Sequence, residues 1–258
     1  MTEVEWSSSI EAAQTYERVL VPALFQQWAH RMLEAGHVKE GDHVLDLACG
    51  TGVVAREATT WVGESGHVVG LDKDRAMLSV AQLSEPKVVW EVGDAAAMPF
   101  DNGSFDVIIC QAGLMFFPDQ ASAVAEMRRV LRPGGSLVIH VWAQCDAQDA
   151  FADVLERHVG RKAADNYRTP WNLKDPTKLL DLIRKGGFAD PRLMTEPGTA
   201  TYPSMEVFLE GASGILVSVE ANTQRLKHDA GAAMKDYIGP DGIVKFREPA
   251  HVVTATKN

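Results

Sequence analysis

The chain reads as an α/β domain built on a parallel sheet with crossover helices, and three observations predict it. From residue 43 onward, short β-branched runs alternate with stretches of helical periodicity, the trace that successive βαβ units leave in a sequence. The first run ends in Asp46-Leu47-Ala48-Cys49-Gly50-Thr51-Gly52, a strand tip that turns through two glycines straight into a helix. Finally, three consecutive strands end in an acid: Asp46, Asp72 and Asp94. A carboxylate at such a place is costly unless something satisfies it.

The elements follow in order. Strands are expected over 43–47, 67–72, 88–92, 105–110 and 136–142, each short and β-branched or apolar. Helices are expected over 53–62, 75–83 and 121–131, the last stopped by the Arg132-Pro133-Gly134-Gly135 turn. Beyond Trp142 the rhythm changes. A helix over 147–159 precedes a polar loop, and a helix over 176–185 closes on Gly186-Gly187 in the manner of a C-cap. An extended strand over 192–202, interrupted by Pro197-Gly198, leads to a helical block from 204 to about 237. Strands over 243–246 and 252–256, joined by Arg247-Glu248-Pro249, close the chain. Residues 1–42 read as helices, with Tyr16, Phe25 and Trp28 on amphipathic faces. Repeats and low-complexity segments are absent, so the 258 residues are expected to form one domain.

Composition narrows the function. A net charge of −10 repels a phosphate backbone. The one basic cluster, Arg128, Arg129 and Arg132, sits at the end of a predicted helix, where cations suit the dipole. No segment approaches the roughly 20 uncharged apolar residues of a membrane span. Cys49, Cys110 and Cys145 are odd in number and form no CxxC pair, so free thiols and a cytoplasmic location are expected. The partner expected is a small molecule, not nucleic acid or a membrane, with the chain a monomer or homodimer.

At the glycine turn, free backbone N–H groups and the positive end of a helix dipole face the space beyond the strand tip. A dinucleotide fingerprint would need a third glycine where Ala55 stands, and no G-K-[ST] follows for a P-loop. What remains is a strand acid followed by A-C-G-T-G. Val68-Val69-Gly70-Leu71-Asp72 places a second acid where it can accept from two ribose hydroxyls, a role compatible with the alternative of Asp72 as a cap of the following helix. Glu91-Val92-Gly93-Asp94-Ala95 supplies a third, suited to an adenine amino group or simply to a solvated turn.

Together with the fourth strand, its aromatic loop Leu114-Met115-Phe116-Phe117 and the Arg132-Pro133-Gly134-Gly135 turn, these segments resemble the class I S-adenosylmethionine-dependent methyltransferases. The resemblance is to the small-molecule, ubiquinone/menaquinone-biosynthesis-like branch, and covers residues 42–142. It implies a Rossmann-like seven-stranded sheet with helices on both faces. The last strand would be antiparallel and inserted between the fifth and sixth, with residues 252–256 supplying it. By the same resemblance, Ala48, Gly50, Thr51 and Gly52 lie at the methionine part of S-adenosylmethionine, Asp46 holds the loop and reaches the methionine amine directly or through water, Asp72 lies at the ribose, and Asp94 with Ala95 at the adenine. Lys73, Met77, Gln111, Tyr16 and Phe25 complete the cofactor site. Residues 1–42 would form a helical lid, 43–142 the cofactor core, and 143–258 the acceptor-side helices and last strands.

Methyl transfer is an in-line displacement with a neutral leaving group, so alignment is the main task. A base is needed only when the acceptor must lose a proton. His140 is the candidate base, although a lone histidine in a strand is more often a satisfied core residue. Gln111 is a candidate for orienting donor or acceptor, or a structural amide. Trp28, Phe116 and Phe117, with Trp142, are candidates for an apolar acceptor pocket. A nucleotide-dependent oxidoreductase and a non-catalytic cofactor-binding module are the competing readings.

Overall fold

The computed structural model describes residues 9–215 and 224–258. Its sheet has strands β1 (His43–Leu47), β2 (His67–Asp72), β3 (Val89–Val92), β4 (Phe105–Gln111), β5 (Leu131–Trp142), β6 (Arg192–Glu196) and β9 (Ala250–Thr256). The order is β3-β2-β1-β4-β5-β9-β6. The first five strands are parallel, whereas β9 runs antiparallel between β5 and β6. The expected seven-stranded sheet with its inserted last strand is therefore present, with helices on both sides. Strand order reverses between β1 and β4, the place in such sheets where ligands bind beyond the strand tips.

The central strands are apolar along their length because both faces are covered. Leu45, Leu47, Ile108, Ile109, Leu137 and Ile139 are at or near zero exposure. Helices α3 (Val53–Val62), α4 (Arg75–Ser84) and α5 (Gln120–Val130) are the crossovers. Asp74, not Asp72, caps α4, its carboxylate accepting from the Ala76 N–H at 2.8 Å. The basic cluster serves the fold: Arg129 clasps Glu126 at 2.6 Å and the Phe100 carbonyl at 2.6 Å, Arg128 donates to the Gly187 carbonyl, and Arg132 pairs with Asp106.

Four expectations need revision. The strand expected over 192–202 is two, because Pro197 offers no ladder donor and Gly198 lies where a Cβ would stand 2.5 Å from the Trp28 ring. After this break β7 (Thr199–Tyr202) pairs with β8 (Val244–Arg247) in a separate ribbon. The polar loop after α6 (Asp146–His158) contains α7 (Arg161–Arg168) and a 3₁₀ turn, Thr169–Trp171. Only Ala164 and Tyr167 of α7 are buried, so too few apolar residues mark its face. Strand β5 begins at Leu131, because Leu131 already pairs with Phe105 before the register shifts. Of the block from 204 to 237, α9 (Met205–Ile215) and α10 (Gln224–Ala233) are seen, and 216–223 lie outside the described residues.

The N-terminal helix is the fourth. Between α1 (Ile10–Thr15) and α2 (Gln26–Ala35) the chain winds as a π-helix, Tyr16–Phe25, with Pro22 inside it. Over nine residues an α-helix makes two and a half turns and would put Tyr16 and Phe25 on opposite faces. The wider i→i+5 winding brings them close to two turns. Their rings accordingly stack on one face, centroids 5.2 Å apart.

Candidate active site

The turn after β1 holds Ala48 at φ 57°, Gly50 at φ 54° and Gly52 at φ 85°, and the tip of β4 holds Ala112 at φ 52°. Left-handed backbone at non-glycine residues is strained and clusters at functional sites. Here it turns both strand tips outward and opens a cavity of about 560 Å³ beyond them. Ala48, Gly50, Asp72, Lys73, Met77, Asp94, Ala95 and Gln111 line it on the sheet side. Tyr16 and Phe25 line it from the π-helix, and a Cβ on Gly50 would lie 3.8 Å from the Tyr16 ring. Phe116, Phe117 and Trp142 continue the wall.

Asp72 organises the tips. One carboxylate oxygen accepts from the Gly50 N–H at 2.8 Å and the other from the Asp74 N–H at 2.9 Å. Each oxygen keeps a further lone pair. Burial pushes its carboxyl up, against the opposing pull of the two N–H donors. Asp94 accepts from the Ala96 N–H at 2.8 Å and is exposed.

Several expected site residues stand elsewhere. Asp46 is 2% exposed and lies behind the loop, accepting from the Ala55 N–H at 2.9 Å, so it pins the turn to α3 instead of reaching the cavity. Thr51 is buried and outside the lining. Gly52 is needed because its Cβ would stand 2.3 Å from Trp90, and it too is outside. Trp28 and His140 pack edge to face in the core, ring centroids 4.7 Å apart, both fully buried beneath the cavity wall. Burial pulls the His140 imidazole down to about 3. Its ring lies outside the cavity lining, with no face open to a molecule held there. Gln111 does line the cavity: its amide donates to the Phe25 carbonyl at 3.2 Å, tying the π-helix to β4, while its Oε1 has no partner among the described residues.

Burial raises the Asp46 carboxyl to about 7, with the Asp72 charge adding and the Ala55 N–H opposing. Between about pH 4 and 7 the folded state then holds a proton that the unfolded state has lost, so this group's contribution to stability falls as pH rises through that window. Asp46→Asn should therefore gain stability relative to the parent from pH 5 to pH 8, by up to about 1.4 kcal/mol per pH unit. Urea denaturation at the two pH values checks it; a pH-independent difference contradicts the assignment.

The lining continues past Phe25 into a stretch that sequence reading missed. Gln148 of α6, Tyr167 of α7, Trp171, Tyr202 of β7 and Glu248 close the far end. Glu248 is fully buried, accepting from Gln148 Nε2 at 2.9 Å and Trp171 Nε1 at 3.1 Å, and the Tyr167 hydroxyl donates to Gln148 Oε1. The one sequence signal was an acid between two apolar strands, in Arg247-Glu248-Pro249.

The donor set fits a cationic cofactor. Asp72 is a carboxylate on the cavity wall, and no Lys or Arg ion-pairs with it among the described residues. A sulfonium bearing an ammonium would meet complementary charge there, whereas the pyrophosphate of a dinucleotide would meet repulsion. Residues 44–135 match the family described as methyltransferase domain. A 2-phytyl-1,4-naphtoquinone methyltransferase of Synechococcus elongatus is 29% identical over 215 residues, 80% of this chain and 81% of that protein. A demethylmenaquinone methyltransferase of Staphylococcus saprophyticus is 29% identical over 202 residues, 71% and 87% of the two chains. In fold, the YcgJ protein of Bacillus subtilis has a TM-score of 0.62 at 18% identity, covering 90% of this chain and 98% of its own. A phosphoethanolamine N-methyltransferase 2 of Haemonchus contortus, solved with S-adenosyl-L-methionine, scores 0.62 at 20% identity, covering 96% and 57%. By its sheet, its strand-tip cradle and its sequence relatives, this chain resembles the class I S-adenosylmethionine-dependent methyltransferases. It transfers the methyl group of S-adenosylmethionine to a small molecule, and the sequences it resembles include quinone methyltransferases.

Proposed function

We propose that the acceptor is a hydroxyl-bearing ring of the reduced quinone type, held at the aromatic end of the cavity. The observation that carries this reading is the continuity of one cavity of about 560 Å³, running from the Gly50 turn and Asp72 to Trp142, Tyr167, Trp171 and Tyr202. Such a wall suits a flat, apolar ring, and the relatives named as naphthoquinone and menaquinone methyltransferases support it. When bound, S-adenosylmethionine supplies an electrophilic methyl on a positively charged sulfur.

In this reading Asp72 accepts from the ribose hydroxyls, Asp94 and Ala95 meet the adenine, and Lys73 and Met77 flank the nucleoside. Ala48 and Gly50 leave space for the methionine part, which Tyr16 and Phe25 cover from above. Excluding water there stiffens alignment, and alignment is where most of the acceleration comes from. Gln111 Oε1 orients donor or acceptor, and Phe116 and Phe117 form the rim. The acidic chain, at net charge −10, supports a small-molecule acceptor over nucleic acid. No helix among the described residues is long and apolar enough to cross a membrane.

The test is turnover. The purified enzyme, given isotope-labelled S-adenosylmethionine and a chemically reduced short-chain demethylmenaquinone, should yield the labelled ring-methyl product. No product from an enzyme that binds S-adenosylhomocysteine would overturn the acceptor assignment.

A further inference from the structure

The far end of the cavity contains a carboxylate with no cation to justify it. Glu248 sits in the connection between β8 and β9 with zero exposure, and no Lys, Arg or His forms an ion pair with it among the described residues. Two neutral donors, Gln148 Nε2 and Trp171 Nε1, hold one oxygen each, and the Cys145 thiol also hydrogen-bonds to the carboxyl, so one oxygen lone pair stays open. Tyr167 fixes the Gln148 amide by donating to its carbonyl oxygen, so Gln148 must present its N–H₂ to Glu248. Three elements far apart in sequence thus aim one carboxylate at the cavity wall. A buried carboxylate that serves only structure is normally matched by a cation or replaced by an apolar group.

We propose that Glu248 is the proton acceptor of the reaction, taking the hydroxyl proton of the methyl acceptor, with Gln148 and Tyr167 as its positioning residues. The inference rests on the hydroxyl-bearing acceptor proposed above. The proton passes from the acceptor O–H to a Glu248 oxygen. An electron pair of the resulting anion forms the bond to the methyl carbon, and the pair of the breaking S–C bond leaves with sulfur as a neutral thioether. For methylation at ring carbon the ring proton then passes to water while the ring oxygen takes a proton from water, restoring the aromatic hydroxyl. Glu248 returns its proton to water when product leaves.

The surroundings suit the task. Burial raises the Glu248 carboxyl to about 7, against the lowering pull of Gln148, Trp171 and Cys145, so it gains and loses a proton near neutral pH. The titratable groups facing it are Cys145 and Asp149 at the start of α6, Tyr167 of α7 and Tyr202 of β7. Burial pushes the Cys145 thiol and both phenols far above neutrality, so they stay protonated while Glu248 titrates.

Glu248→Gln tests it, with reduced short-chain demethylmenaquinone as acceptor and S-adenosylhomocysteine affinity as the check on folding. The variant should bind S-adenosylhomocysteine within about twofold of the parent and lose about 100- to 1,000-fold in kcat. The parent's acid limb near pH 7 in kcat should disappear. A second readout needs no turnover: 4-nitrophenol bound to the S-adenosylhomocysteine complex at pH 7 should show a phenolate absorption band in the parent that is lost in Glu248→Gln. Unchanged kcat, acid limb and phenolate band in the variant would overturn the role of Glu248 alone. An unmodified enzyme that binds S-adenosylhomocysteine but neither methylates the quinol nor ionises the phenol would overturn the acceptor class, and this inference with it. If Glu248→Gln does not fold, a parent kcat that is flat from pH 5.5 to 8.5 overturns the proposal.

Discussion

Asp72→Ala should weaken S-adenosylhomocysteine binding by about 1.5 to 3 kcal/mol, the scale of hydrogen bonds to a charged group, or about 10- to 150-fold in Kd. The reason is double. The bonds to the ribose proposed above would be lost, and the Gly50 and Asp74 N–H groups that the carboxylate now holds at 2.8 and 2.9 Å would lose their acceptor. Asp72→Asn keeps one carbonyl oxygen for those donors but gives up the charge and the second acceptor, so it should fall between parent and alanine variant. Calorimetric titration of each variant with S-adenosylhomocysteine reads the effect. An affinity unchanged by Asp72→Ala would refute the ribose assignment.

Trp28→Ala should act in the opposite sense, on stability and not on the cofactor. The indole is fully buried, edge to face with His140 and 6.4 Å from the Trp142 ring centroid, and its face carries the Arg31 guanidinium at 4.8 Å. Emptying such a site costs about 3 to 5 kcal/mol. Because Trp28 lines the core and not the cavity, the folded fraction should keep its S-adenosylhomocysteine Kd within about threefold. Chemical denaturation gives the first quantity and titration at low temperature the second. A stable variant with weakened ligand binding would return Trp28 to the cavity.

Trp28 also illustrates what sequence can and cannot carry. The strand-tip half of the site was legible because its signals are local: an acid, a left-handed turn and a helix start within seven residues, repeated as Asp72 and Asp94 at the next two tips. Even there, only the structure separates Gly50, which borders the cavity, from Gly52, which makes room for Trp90. The order of the sheet followed from the resemblance, down to β9 between β5 and β6.

The far end of the cavity was illegible for two physical reasons. Gln148, Tyr167 and Glu248 meet across about a hundred residues, and no periodicity records such a meeting. Over residues 16–25, sequence periodicity carries only α-helical spacing, whereas the π winding is what sets Tyr16 and Phe25 on one face. His140 misled for a simpler reason. Its position near the C-terminal end of β5 is right for a catalytic group, but its ring is directed into the core against Trp28 and Trp142.

The central claim is that the tips of β1, β2 and β3 form one cradle for a sulfonium nucleoside. Titrating the ligand-free enzyme with S-adenosylmethionine, S-adenosylhomocysteine and NADH in a calorimeter tests it most directly. Saturable heat at one site per chain for the first two ligands, and none for NADH, is the predicted result. Heat from NADH alone, or silence from all three, would contradict it.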